Sequence, residues 1–486
     1  MDLPAVLHVM SPLGGGVDRH VRDLVATIDR RHVLWHVGSR AEVVELTGPR
    51  RYLPLDPARA SAAPDTLASW LRSLGIGLVH LHTVVREPRS RAAWAAERLG
   101  VPLLVTLHDV LFLRRDAFHF DAPEPDPAWV SEVAPVLRAA RSVLAPSDYL
   151  AGVARHTFPG LDVGVVPNGV AAPARAGEGQ ARPEFLAHRP QHVVAVLGAI
   201  GAHKGADLLR ELPPHLEGSG IGIVVIGYLD QQLYPGWNPR PHVYVHGPYH
   251  PDHTASLLAA YGAELVLFPN RVPESFSYAL SEAWAAGVPV LAGPGGAIGE
   301  RVARHGGGWL LPQGFGAGQV AAELRRLLAP QAAAEVARVK SGLLVPDASR
   351  VPTLQAMAES LDAYYRRYGT PGEAPAAADA QALEALLAPS LDSSLFRQEL
   401  AFLASLCDQS GSDSKRARDF EIEARRWIAK LEGDVRDLQA ELTREFEERQ
   451  RLARELELAN AAAGAANHLP LFVKRILARL GRHARS

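Results

Sequence analysis

Short apolar runs alternate with amphipathic stretches along most of this chain, and that alternation limits the fold more than any other feature. "AVLHVM", "LVHLH", "PLLVTLHD", "SVLAPSD" and "VGVVPNGV" are separated by segments with helical spacing such as "DRHVRDLVATI" and "SRAAWAAERLG". Runs of roughly four to eight apolar residues read as strands buried on both faces, the condition of a parallel sheet covered by helices. Residues 1–172 are therefore expected to form one α/β domain of βαβ units.

The pattern lapses over 173–190, "PARAGEGQARPEFLAHRP", where Pro, Gly and Ala gather as they do in a linker. It restarts with "HVVAVLGAI", "GIGIVVIGY", "HVYVHG", "AELVLFPN" and "VPVLAG", which predict a second doubly wound domain over 191–345. A further helix is expected over 346–368. Two such domains in tandem enclose a cleft at the carboxyl ends of their strands, where open α/β sheets bind ligands.

Beyond a second low-periodicity linker and short helices at 369–412, the chain changes character. Ile428, Leu431, Val435, Leu438 and Leu442 repeat at steps of three and four, and the register continues through Glu445 and Arg449 to Leu452 and Leu456. This predicts a coiled coil over 413–460, able to make a homo-oligomer, with a single long surface helix as the alternative. At 468–486, Leu471, Phe472, Ile476 and Leu480 oppose Lys474, Arg475, Arg479, Arg482 and Arg485. Such a basic amphipathic helix suits an anionic membrane surface, or else a partner protein.

Charge excludes one class of partner. The 486 residues carry a formal net charge of −2, so no global basic field attracts nucleic acid. Cys407 is the single cysteine, which rules out an internal disulfide and any CxxC zinc spacing. The start, Met1-Asp2-Leu3-Pro4, lacks a basic n-region, and apolar pieces such as "IGIVVIGYL" fall short of the roughly 18 residues a membrane span needs. A cytoplasmic protein, peripheral at the inner face of the membrane through its tail, is the expectation.

Within "VPESFSYALSEAWAAGVPV" (272–290), two carboxylates, Glu274 and Glu282, interrupt a small and apolar stretch. Pro273 suits the approach to a helix and Gly287 and Pro289 its end. On a helix the pair would stand about 12 Å apart at about 1.5 Å per residue, which matches a hexose and a ribose separated by a pyrophosphate. Carboxylates accept paired hydrogen bonds from sugar hydroxyls, while amides at a helix start favour a diphosphate. Spacing by itself does not separate this reading from two solvated surface glutamates.

"PESFSYALSEAWAAGVPVLAG" resembles the Glu-x7-Glu signature of retaining glycosyltransferases of the GT-B fold, family 4, of the bacterial surface-polysaccharide type. The likeness runs over about residues 5–368. It implies that Glu274 recognises the transferred sugar and Glu282 the nucleotide ribose, with Ser275, Phe276 and Ser277 in the donor site. "VMSPLGGGVDRHVRDL" is similar to the family's first strand, glycine loop and helix, in which Gly14, Gly15 and Gly16 permit close backbone approach. Three glycines could equally make a tight turn. "VTLHDVLFL" places His108 where the family's active-site histidine stands, and "VVPNGV" resembles the end of the first domain, or a plain Asn168-Gly169 turn.

"VLGAIGAHKGADLL" resembles the first strand and loop of the donor domain. Lys204-Gly205 fits the family's lysine, a cationic partner for the leaving diphosphate, but Ala199 stands where an arginine is common. His203 and Arg271 are the nearest substitutes in sequence. Ser277-Tyr278 also departs from the usual Gly-aliphatic pair, which leaves donor identity open.

The function these features imply is retaining transfer of a sugar from a nucleotide-diphosphate sugar to a glycan or lipid-linked glycan acceptor. Catalytic roles fall to His108, Lys204 and Glu274. No DxD site is apparent and "DAPEPDP" at 121–127 is a poor substitute, so metal independence and no cofactor are expected. The rival readings are a GT-B nucleotide-sugar epimerase and a non-catalytic scaffold of a polysaccharide assembly complex.

Overall fold

A computed structural model describes residues 3–12, 15–38, 42–47, 50–115, 124–172, 180–188, 190–230, 232, 235–237 and 243–371. The expected coiled coil, the basic helix and all but residues 369–371 of the linker before them lie outside the described residues.

The first lobe is an eight-stranded sheet built from β1 (Ala5–Met10), β2 (His32–Val37), β3 (Glu42–Thr47), β4 (Arg50–Leu55), β5 (Ile76–Leu81), β6 (Leu103–Thr106), β7 (Ser142–Ala145) and β8 (Val163–Val165). Their spatial order is β4-β3-β2-β1-β5-β6-β7-β8. β1, β2 and β5 to β8 pair in parallel, whereas β3 and β4 add an antiparallel edge. Every residue of β1 and of β5 is buried, as helices on both faces demand.

The second lobe holds β9 (His192–Ile200), β10 (Ile221–Leu229), β11 (Gly236–Trp237), β12 (Val243–Gly247), β13 (Leu265–Phe268), β14 (Val290–Ala292) and β15 (Gly308–Leu310). Their order is β11-β12-β10-β9-β13-β14-β15, parallel except for β11. Both lobes are thus doubly wound and Rossmann-like, and together they make a GT-B fold. Strand order reverses at β1/β5 in one lobe and at β9/β13 in the other, which sets a crevice at the carboxyl ends of those strands.

The segment expected to be a pure linker contains a short helix, Pro183–Ala187, whose Phe185 is fully buried in the core of the second lobe against Tyr244 and Tyr261. The last described helix, Leu354–Tyr368, returns to the first lobe. Thr353 caps it, its hydroxyl accepting from the Ala356 N–H at 3.1 Å. Met357, Ala358, Leu361 and Tyr365 form one stripe packed on Val6, Leu78, Leu104 and Leu144. Each large side chain buried there contributes roughly 1.5–3 kcal/mol. Arg30, 1% exposed at its side chain, pairs with Asp362 at 2.8 Å and locks the helix down.

Candidate active site

Glu274 and Glu282 do not share a helix. The helix runs Tyr278–Ala285 with Ser277 as N-cap, so Glu282 lies about one turn inside it and Glu274 sits on the loop before. The axial spacing of about 12 Å expected for one continuous helix therefore does not apply. The reason is Ser277, whose φ of 72° and ψ of 97° break helical geometry, while its hydroxyl accepts from the Leu280 N–H at 3.3 Å. That backbone region favours glycine, which explains why a Gly-aliphatic pair suits this point and why serine here is strained.

The loop is fixed from below. Arg301, 6% exposed, donates to the carbonyls of Phe276 (3.0 Å) and Ser277 (3.2 Å), to Ser281 Oγ (2.7 Å) and to the Arg350 carbonyl (3.0 Å). Its guanidinium lies 4.2 Å from the Phe276 ring centroid. Burial lowers the Arg301 pKa to about 9. Phe276 is itself buried beneath that guanidinium, so any contact it makes with a donor comes through its backbone. On the other side, a Cβ at Gly296 (φ 68°) would meet the Glu274 amide nitrogen at 2.7 Å, so the glycine lets the chain close over Glu274.

Glu274 Oε1 accepts from Asn270 Nδ2 at 2.9 Å and pairs with Lys204 Nζ at 3.2 Å. Lys204 ends a 3₁₀ turn, Ala202–Lys204, following β9. At Gly205 (φ 84°) a Cβ would stand 2.0 Å from the Pro269 carbonyl oxygen, so the Lys204 turn requires glycine to seat against the end of β13. Lys204 and Glu274 are thereby brought together. Arg271 instead donates to the Phe315 carbonyl at 3.1 Å, and the His203 carbonyl accepts from the amides of Arg271 and Val272.

The neighbour of Glu274 joins the lobes. Ser275 Oγ donates to the His108 carbonyl at 2.6 Å, and the Ser275 carbonyl accepts from Ser147 Oγ at 2.7 Å. Arg304 and Asp148 form a further ion pair across the cleft. His108 follows β6 at its carboxyl end, as expected for a cleft residue.

Glu282 is held by residues that sequence reasoning missed. Arg19, from the helix Gly15–Thr27 of the first lobe, donates to Glu282 Oε1 at 2.6 Å and lies 4.3 Å from the Tyr278 ring centroid. Thr254 Oγ1 donates to Glu282 Oε2 at 3.2 Å. Gly15 (φ 76°) opens the same helix. At Gly16 a Cβ would lie 3.8 Å from Tyr278, so this glycine faces the Glu282 helix across the cleft. The nearest sequence signal for Arg19 was "GGGVDRHV" itself, one turn beyond the glycines.

The first lobe also carries a buried array of imidazoles. His8, His80, His82 and His108 fall on one face of the sheet because strand side chains alternate. His8 pairs laterally with His80. His80 Nδ1 bonds Tyr365 Oη at 2.8 Å and its Nε2 bonds Thr106 Oγ1 at 2.8 Å. Desolvation holds His8, His80, His82 and His108 well below the ordinary histidine pKa, and takes His20 and His32 down to about 4. Burial drives the carboxyl of Asp109 the other way, up to about 6.

Comparison with known proteins agrees with this architecture. Residues 14–172 match the family model described as Glycosyltransferase Family 4, and residues 179–340 match Glycosyl transferases group 1. D-inositol 3-phosphate glycosyltransferase of Mycobacteroides abscessus is 30% identical over 257 residues, 48% of this chain; the match spans 55% of that relative's length. Anabaena HepE, solved with UDP and glucose, shares 16% identity over 75% of this chain and all of its own, with a TM-score of 0.53. Sucrose-phosphate synthase from Thermosynechococcus elongatus shares 16% over 75% of this chain and 98% of its own, with a TM-score of 0.52. These structures share the fold. With both lobes matched in order by the two family models, the chain belongs to the GT-B glycosyltransferases of the family 4 type.

Proposed function

We propose that the protein transfers a sugar, with retention of anomeric configuration, from a nucleotide-diphosphate sugar to a hydroxyl of a growing glycan, lipid-linked at the inner membrane face. The observation that carries this reading is the pairing of Lys204 with Glu274 one residue from the Ser275 bond to His108. It puts a cation, a carboxylate and a cleft histidine at one junction of the lobes. That HepE, of the same fold, binds UDP and glucose supports a nucleotide sugar as donor.

In this reading the bond from the anomeric carbon to the diphosphate oxygen breaks, the acceptor oxygen bonds that carbon from the same face, and the acceptor proton passes to the departing diphosphate. The protein acts by positioning and by stabilising charge. Lys204 and the amides of Ser275 to Ser277 meet the charge on the leaving group, and Glu274 orients the sugar hydroxyls. His108 supports the reacting face, with Gly15 and Gly16 leaving room for backbone approach. Glu282 takes the ribose once Arg19 releases it. Because a fixed ammonium and amides carry the leaving-group charge, Mg2+ and Mn2+ are not needed.

The test is NMR of the sugar linkage formed on a lipid-linked glycan acceptor, against donor alone. An axial donor sugar should give an axial product, at a rate unchanged by added Mg2+ or Mn2+. An equatorial product, or conversion of the donor sugar to its epimer without acceptor, would overturn the proposal.

A further inference from the structure

We infer that His20, His82 and His108 form a binding site for a divalent transition cation of borderline softness, with zinc as the ordinary occupant of such an all-nitrogen set. The ligand nitrogens of the three lie within 4.8 Å of one another. His82 Nδ1 and His108 Nε2 are already 3.2 Å apart. Tetrahedral ligation at about 2.0–2.1 Å per bond separates two nitrogens by about 3.3 Å and ring centroids by about 5 Å. The observed centroid separations are 4.6 Å for His20–His108, 5.5 Å for His82–His108 and 5.7 Å for His20–His82. A shift of the His20 ring by about 1 Å completes the triangle.

His20 supplies the independent observation. It is 1% exposed, yet neither ring nitrogen has a hydrogen-bond partner. Leaving a buried polar ring in that state is unfavourable, and ligation would offset the cost. Asn168 Oδ1, also buried with no partner at full hydrogen-bond geometry, lies beside His20, close enough to raise the pKa of its ring against the effect of burial. A side-chain carbonyl is the acceptor a ligating histidine needs for its other N–H.

The tautomer of His82 is set by a chain of rings. The Ile28 carbonyl, 3.3 Å from His32 Nε2, requires the proton there, so His32 Nδ1 accepts from His8 Nε2 at 2.9 Å. His8 Nδ1 then accepts from His82 Nε2 at 2.9 Å, and His82 Nδ1 is left with its lone pair directed at His108. That is the arrangement a metal ligand requires. Without metal, His108 Nε2–H donates to that lone pair; with metal, Nε2 ligates and the His108 proton resides on Nδ1. Cation binding therefore converts the free nitrogen of His108 from acceptor to donor. The neighbouring group His8, His80 and His82 is not the site, because both nitrogens of His8 and of His80 are already engaged. An all-imidazole set does not favour Mg2+ or Mn2+, so the site is separate from the hard-cation question of the transfer reaction.

The full chain, stripped with a chelator, is titrated with Co2+ and read by its visible d–d absorption. The expected result is the intense band of tetrahedral Co2+ saturating at one equivalent, displaced by Zn2+ and weakened at least tenfold in His20→Gln. X-ray absorption of the Zn2+ form, which needs no variant, should show about three imidazoles in the first shell. No tetrahedral band in the wild type, fewer than two imidazoles around zinc, or full affinity in a folded His20→Gln protein would each overturn the inference. None of these readouts involves sugar transfer, so their failure leaves the proposed activity standing.

Discussion

At the scale of single residues, the proposed donor site consists of carboxylates already held by cations. Glu282 is bound to Arg19, and in the proposed function a ribose must displace that guanidinium to use the carboxylate. A partly buried pair of this kind is worth about 1 kcal/mol, so Arg19→Ala should tighten nucleoside diphosphate binding about 5-fold in calorimetry. Weaker binding would instead make Arg19 a direct phosphate ligand and the replacement for the arginine absent at Ala199. Ser277 is the second diagnostic position. Ser277→Gly relieves a strained φ and loses little as a cap, so it should raise stability by about 1 kcal/mol, whereas Ser277→Ala should lower it by a similar amount. Urea titration of the two variants distinguishes them, and equal destabilisation by both would refute the strain argument.

At the scale of elements, the closing helix Leu354–Tyr368 ties the chain back onto the sheet of the first lobe. Tyr365→Phe keeps the packing but strands His80 Nδ1, and should cost about 1–3 kcal/mol in unfolding free energy. A loss below about 0.5 kcal/mol would show that the Tyr365 hydroxyl is dispensable. The strands that the sequence made legible, β1, β5 to β10 and β12 to β14, are each signalled by an apolar run, and most of them are buried. β2, β3, β4, β11 and β15 were not; β3 and β4 come from "EVVELTGPRRYLPL", which mixes charge and proline, as strands at a sheet edge do. The helix holding Glu282 was legible, but its start was not, because Ser277 takes a conformation ordinarily reserved for glycine.

At the scale of the whole molecule, what remained hidden in the sequence is whatever crosses the cleft. The Glu274, Glu282 and Lys204 motifs are local and could be read, while Arg19 and Glu282 lie 263 positions apart. Within the second lobe, too, Arg301 reaches back 25 positions to the Phe276 carbonyl it supports. The histidine array was in principle readable from "HVM", "HLHT" and "TLHD" as a period-2 pattern on one sheet face, once strand order is known. It also governs response to acid. His8, His20, His32, His80, His82 and His108 are all held below the ordinary histidine range by desolvation, so their neutral forms contribute stability that is present above pH 6.5 and lost as pH falls below it, toward about 4 for His20 and His32. Asp109, raised from 3.8 to about 6, opposes this, because its contribution is present at low pH and lost as pH rises through 6. Asp23, Glu42 and Glu300 are raised by burial too, but the histidines, His246 among them, outweigh these carboxyls and predict a net fall in the Tm of chelator-treated protein between pH 6.5 and 4.5; a flat profile would contradict the neutral array.

The most direct test of the central claim is binding of nucleoside diphosphates and their sugars to the wild type and to Glu282→Gln, followed by thermal shift and calorimetry. At a hundredfold excess over Kd a ligand adds about 2.7 kcal/mol of apparent stability. At least one nucleoside diphosphate should raise the Tm of the wild type, and Glu282→Gln should weaken its binding at least tenfold. If no nucleotide in the panel binds, or if the variant binds as tightly as the wild type, Glu282 is not the ribose carboxylate and the donor site is elsewhere.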